Sequence, residues 1–340
     1  MPKSIVVVDH DPAWARQFAQ LRAALEATLG ALALAIEHVG STSVPGLAAK
    51  PILDIDVVIE APARLPEVIT RLAALGYAHE GERGVTGRHA FRPVSKDSIP
   101  ASWPRHHLYV CPAGGLELRR HLAFRDWLRA HPEGRRRYAA RKRELAARHT
   151  HDIVAYSDGK RGVIEAALVE ATGVGLCTAR AVLRPFSPDD APYAHPVFAD
   201  PEVMRYAAGP PDADLATTAA RLDRYIALQR ARGFSKWVAW DRESGEYLGD
   251  AGLTVLAETG ELELGYRLAR RHWGRGLATE LARAWLTRAL DELQLGRVIA
   301  FADPANAASV RVMEKLGMRL DRRDRLAGID CVVYEARRES

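Results

Sequence analysis

Apolar residues recur at helical spacing in DPAWARQFAQLRAALEATLG, where Trp14, Phe18, Leu21 and Leu25 form one stripe. Asp11 stands where it can cap the first amides, and Pro12 suits the first helical position. The period then changes. AIEHV and ILDIDVVI predict strands, separated by a Gly-Ser-Thr-Ser turn and a loop broken by Pro45, Gly46 and Pro51. LPEVITRLAALG predicts a helix closed by Gly76, and HAFRP and HHLYVC predict further strands. From Leu116 to Thr172 the pattern is helical almost throughout, with breaks near His131-Pro132 and HTHDIVAYSDG.

ATGVG, Ala171 to Gly175, follows neither period and marks a boundary between domains at 1–173 and 176–340. Beyond it, LCTARAVLRPFSPDDA predicts a strand, a turn and a helix start at Ser187–Asp190. A helix follows over roughly 215–232. KWVAWD, YLGDAGLTVL and ELELGYRLA read as consecutive antiparallel strands. A helix from about Gly276, the strand RVIAFA, the helix NAASVRVMEKLG and strands around Met318 and Val332 complete the chain. Strands surrounding two late helices predict an α+β fold.

At 340 residues the chain is long enough for two cores. No apolar run approaches the ~20 residues of a membrane span, and MPKSIVVVDHDPAWARQF lacks the apolar core of a secretory signal. Cys111, Cys177 and Cys331 are too dispersed for a disulfide framework, which points to a reducing cytoplasm. His106 and His107 point to opposite faces of a strand and cannot chelate one ion. The net charge of +5 lies wholly in residues 1–173, as do ten of the twelve histidines. Two surfaces so different predict two different ligands.

In LGYRLARRHWGRGLATELARAWLTRAL, a strand ends, a turn supplies Arg271-x-x-Gly274-x-Gly276, and a helix begins. The first amides of a helix lack internal acceptors and the dipole makes that end positive. Glycines let an anion approach the backbone closely. The arrangement suits a pyrophosphate. It is not a Walker motif, because no Gly-Lys-Ser/Thr follows.

The run from LCTARAVLRPFSPDDA through ELELGYRLARRHWGRGLATELARAWL to RVIAFADPANAASVRVMEKLGMRL resembles the GCN5-related N-acetyltransferases (GNAT), most closely the branch acting on ribosomal-protein N-termini. The resemblance implies acetyl-CoA as cofactor. Its pyrophosphate would meet the turn formed by Arg271, Trp273, Gly274, Arg275, Gly276, Leu277 and Ala278. Its pantetheine arm would run along Gly265, Tyr266, Arg267 and Leu268, with Asn306 and Ser309 near the thiol end. The resemblance also implies Glu263 as the group facing the acceptor amine and Tyr334 as a proton donor to the leaving thiolate, with Ser309 beside them. A lysine-type amine, of pKa ~10.4, must lose a proton before it attacks a thioester, and Glu263 could take it.

In ILDIDVVI, Asp54 and Asp56 share one face, and Gly40-Ser41 precede them at a turn able to present amides to phosphate. Two carboxylates so placed can bind Mg²⁺. With RHHLYV, FRDWLRAHPEGRRRYAARKRELA and YSDGKRGVIEAA, this stretch resembles the GrpB (UPF0157) family, which implies a nucleotidyltransferase-like mixed α/β domain of unestablished activity. Working nucleotidyltransferases need a third carboxylate, whereas the neighbouring strand offers His107, Tyr109 and Cys111. Residues 119–148 hold eleven Lys/Arg against three Asp/Glu. Arg125 and Arg129, Tyr138 and Lys142, and Tyr156 and Lys160 are each one helical turn apart. They match the family motif and, with Lys50 and Arg105, could line an anionic-ligand pocket. Sparse aromatics and the lack of an RNA-binding motif argue against nucleic acid.

Together these readings predict an acetyl-CoA-dependent N-acetyltransferase that modifies a small-molecule or peptide amine, with an appended domain binding a phosphorylated, nucleotide or CoA-related ligand. The alternative is a nucleotide-binding or nucleotidyl-transfer module whose second half only senses acetyl-CoA.

Overall fold

The computed structural model describes residues 4–338. The chain divides into two compact units, Met1–Gly173 and Val174–Ser340. Both are mixed α+β structures.

The first unit contains strands β1 (Ala35–Val39), β2 (Leu53–Ile59), β3 (Tyr77–His79), β4 (His89–Pro93) and β5 (His106–Pro112). They form one sheet in the order β1-β2-β5-β4-β3, in which only β2 and β5 run parallel. Its helices are α1 (Ala13–Leu29), α2 (Leu65–Ala74), α3 (Leu116–Ala130), α4 (Pro132–Arg148), α5 (Ile153–Asp158) and α6 (Arg161–Thr172). Asp11 accepts the Ala13 amide at 2.8 Å. Trp14, Leu21, Leu25 and Leu29 of α1 meet Ile55, Val57 and Ile59 of β2 and Val68 and Leu72 of α2 in the main core. The other face of β2 is covered too: Val58 packs with Cys111 and with Leu118 of α3. Asp56 is therefore fully buried in a central strand.

The second unit contains β6 (Leu176–Cys177), β7 (Ala181–Pro185), β8 (Lys236–Asp241), β9 (Tyr247–Val255), β10 (Leu262–Leu268), β11 (Arg297–Ala302), β12 (Arg319–Leu326) and β13 (Ile329–Arg337). Its helices are α7 (Ala191–Phe198), α8 (Pro201–Met204), α9 (Leu215–Arg232), α10 (Leu277–Thr287) and α11 (Ala307–Lys315). The sheet order is β12-β13-β11-β10-β9-β8-β7-β6, antiparallel except for β10 and β11. That parallel pair follows from α10, which carries the chain between them. Leu277, Leu281 and Trp285 of α10 pack on Trp237, Ala251, Leu253 and Leu264 from one face of the sheet. By strand alternation, Lys236, Asp250, Thr254, Glu263 and Arg267 occupy the opposite face.

Candidate active site and a second polar site

β10 and β11 share a register pair only at Glu263 and Ile299 among the described residues. β10 then continues to Leu268 while β11 pairs with β13. This leaves the β10 edge from Gly265 onward available for another backbone-like partner. Beyond Leu268 a tight helical turn at Arg270–His272 leads to Gly274 (φ 72°) and Gly276 (φ 75°). Both are left-handed, a conformation L side chains resist. The first α10 bond runs from the Glu280 amide to the Gly276 carbonyl, 3.1 Å. The Leu277 and Ala278 amides lie before it, with no acceptor inside the helix. No heavy atom lies within 4 Å of a Cβ built on Gly274, and a Cβ on Gly276 meets only Arg180 Nη2 at 3.7 Å. The turn is open.

The turn's side chains serve the scaffold. Arg271 donates to Glu246 and to the Tyr247 carbonyl. Trp273 is half exposed, and its Nε1 donates to the Leu268 carbonyl at 2.9 Å. Arg180 donates to the Arg275 carbonyl (2.7 Å) and to Glu280, which also accepts from Thr178 Oγ1. The buttress of Arg180, Glu246 and Glu280 was not foreseen from the sequence. Its members come from distant segments and carry no local pattern.

Glu263 accepts from Thr254 Oγ1 (2.6 Å) and lies 3.5 Å from Lys236 Nζ. Both charged groups sit over Gly265, where a Cβ would run into them. Arg267 turns away from the β10 edge and stacks on Phe198, with Nη1 3.9 Å from Asp250. Neither oxygen of the buried Asp250 carboxylate has a hydrogen bond, and burial pushes that carboxyl up. The Asn306 side chain accepts the Ser309 amide and so caps α11, while the Ser309 carbonyl accepts from Tyr266 Oη (3.2 Å). Burial pushes the Tyr266 hydroxyl up to about 12. Tyr334 Oη donates to Glu314 at 3.5 Å, and burial, then the Glu314 charge, raises its pKa.

In the first unit a polar cluster surrounds Asp54. His107 Nδ1 bonds Asp54 Oδ1 at 2.9 Å. Burial pushes the Asp54 carboxyl up, but the His107 hydrogen bond and charge, with His121 and Lys160 behind them, take it below its usual range. Lys142 is 2% exposed and donates to Ser41 Oγ (2.8 Å) and the Ala48 carbonyl (2.5 Å), with its ammonium 4.5 Å from the Tyr138 ring centre. Lys160 and Lys50 stand 4.5 and 5.2 Å from the Tyr156 ring centre. Among the described residues neither amine has a hydrogen bond or ion pair. Gly40 lies against Asp54, with no room for a Cβ. Arg105 is exposed nearby and, after burial and Asp54, its charge also acts on Lys50.

One expectation needs correction. Magnesium is not supported. Asp54 is bonded to His107, and Asp56 accepts from His121 Nδ1 at 2.7 Å while shut away from solvent. An imidazole holds one oxygen of each carboxylate, and no group of three metal-ligating side chains exists among the described residues. Arg125 and Arg129 act on His38 together with Asp54. Arg125 binds Glu37 and the His38 carbonyl, Arg129 binds the Ser43 carbonyl, and both line a cleft of about 380 Å³ with Phe18 and His38. Tyr109 lies beneath the Arg88 guanidinium, 4.4 Å from its ring centre.

The family described as GrpB protein matches residues 4–170, and UPF0157 protein BH1888 of Halalkalibacterium halodurans is 36% identical over 163 residues, 48% of this chain and 80% of that protein. The chain belongs to the GrpB family. This GrpB protein also carries an acetyltransferase (GNAT) domain, matched over residues 180–319. UPF0157 protein PA4798 of Pseudomonas aeruginosa is 42% identical over 162 residues, and UPF0157 protein YqkA of Bacillus subtilis 34% over 158. These alignments take in 47% and 46% of this GrpB protein, and span only 64% and 44% of those two relatives' lengths. No helix among the described residues is long and apolar enough to cross a membrane.

Proposed function

We propose that the second unit transfers an acetyl group from acetyl-CoA to a primary amine by direct attack, and that the first unit binds a phosphorylated ligand. The observation that carries the first part is the open glycine turn at the start of α10, beside the point where β10 and β11 part. The residues fit the cofactor. Amides around Gly274, Gly276, Leu277 and Ala278 would hold its diphosphate, and the β10 main chain from Gly265 would hold its arm. The Leu268 carbonyl is already used by Trp273. Bound there, acetyl-CoA supplies an activated thioester.

Glu263 takes the proton from the incoming ammonium, directly or through water. Thr254 fixes its carboxylate and Lys236 balances its charge. Tyr334 is the candidate acid for the thiolate. Asn306 and Ser309 set the α11 end of the groove, and their hydrogen bond to each other gives Asn306 a scaffold role. The acceptor is a small-molecule or peptide amine.

The test is thiol release from acetyl-CoA across an amine panel. Glu263→Gln should lower kcat about 100-fold, the lower end for loss of a general base, with the calorimetric Kd for acetyl-CoA unchanged. Full activity in this variant would remove Glu263 from the mechanism.

A further inference from the structure

Lys50, Lys142 and Lys160 reach one place from three segments: the loop before β2, the middle of α4 and the residue preceding α6. The groups facing them are Asp54 from β2, Arg105 just before β5, Tyr138 and Arg143 from α4 and Tyr156 from α5, while His107 and His121 act on Asp54. Asp54 is the carboxylate at their centre, and it is already bonded to His107. Three lysine amines, with the Arg105 and Arg143 guanidiniums beside them, stand against one carboxylate and leave a positive excess. Two of the three amines, those of Lys50 and Lys160, have no acceptor of their own among the described residues. Clustering like charges in a partly buried place is unfavourable unless an anion joins them.

The same geometry says what the anion lacks. Lys50 and Lys160 lie against the Tyr156 ring, Lys142 lies against the Tyr138 ring, and Phe124 meets Tyr138 at a near-perpendicular angle. The Tyr109 ring is covered by Arg88. The Tyr138 and Tyr156 rings are buried and offer no open face on which a nucleobase could stack, and among the described residues no group of three metal-ligating side chains could hold a magnesium-bound triphosphate.

Resting on the reading that this unit binds a phosphorylated ligand, we infer that Lys50, Lys142 and Lys160 bind the phosphate of a phosphate monoester, and that the site reads that group without reading a base. Burial, then the neighbouring Lys160 and Arg143 charges, lowers the Lys142 ammonium to about 6, with Asp54 opposing; burial and Lys50 lower Lys160 to about 8. A dianion favours the charged amines, so binding draws a proton onto Lys142 near neutral pH. Affinity then falls above about pH 8 as Lys160 discharges. It falls below about pH 6 as the phosphate takes its second proton.

The experiment is titration calorimetry on the full chain, without acetyl-CoA, using inorganic phosphate, AMP, ATP with and without magnesium, and adenosine. Phosphate and AMP should bind within about tenfold of each other, a gap of 1.4 kcal/mol or less. ATP should gain nothing from magnesium and adenosine should not bind. Enthalpies in buffers of different ionisation heat should report uptake of up to one proton per site at pH 7.5. Lys160→Met and Lys50→Met, at partly exposed positions, should each weaken phosphate binding at least tenfold with the melting temperature held. Tighter AMP or ATP binding by more than tenfold overturns the inference while keeping the phosphorylated-ligand reading. Binding of none of the four overturns both, whereas phosphate binding unchanged in both lysine variants overturns the inference alone. The acetyl-transfer reading is untouched by any of these results.

Discussion

Gly276→Val is expected to raise the Kd for acetyl-CoA at least about 100-fold, a loss of about 2.7 kcal/mol. Two costs combine. At φ 75° an L residue pays about 1–2 kcal/mol, and a β-branched one more. The chain escapes that strain by moving the turn, which takes the Leu277 and Ala278 amides off the position where they face an anion. The valine side chain also stands in the space that Arg180 now borders. Calorimetry with coenzyme A reads the result without any acceptor. The fold should survive, because the side chains anchoring α10, Leu277, Leu281 and Trp285, are untouched. Unchanged affinity in a folded variant would show that this turn is not the diphosphate cradle.

The elements that were legible in the sequence are those whose period is set by one partner surface. The stripe of Trp14, Leu21 and Leu25 meets the sheet, and KWVAWD matches β8 residue for residue. The three-residue β3 carries too short a pattern to register. At the sites, local geometry was legible and partners were not. Helical spacing puts Arg125 and Arg129 on one face of α3, but it cannot say that Glu37 and the Ser43 carbonyl lie opposite. Alternation puts Asp54 and Asp56 on one face of β2. That His121 reaches Asp56 from α3 follows from packing across 65 residues of sequence. The glycine turn before α10 was visible because its demand is local, a backbone conformation that glycine alone meets cheaply. Its supports, Arg180 and Glu280, are 100 residues apart.

The same helix that opens on the glycine turn is held by its other end. Trp285→Ala should remove about 3–5 kcal/mol from the stability of the second unit, as for other buried tryptophans. Trp285 is fully buried and meets Trp237 edge to face, with ring centres 4.6 Å apart at 71°. Truncation deletes that pair and leaves a void bounded by the sheet, which cannot collapse without losing register. For a unit of this size each kcal/mol is about 2–4 °C, so its melting transition should drop roughly 6–20 °C. Scanning calorimetry of the full chain identifies that transition as the one coenzyme A raises but inorganic phosphate at the same concentration does not, since a ligand stabilises only the unit that binds it and the first unit's site takes both. Trp285→Phe keeps much of the buried volume and should recover most of the loss. A fall of under about 3 °C in the alanine variant would mean that α10 is held chiefly by the Arg180–Glu280 end. The glycine turn would then owe its position to that polar buttress rather than to the core beneath it.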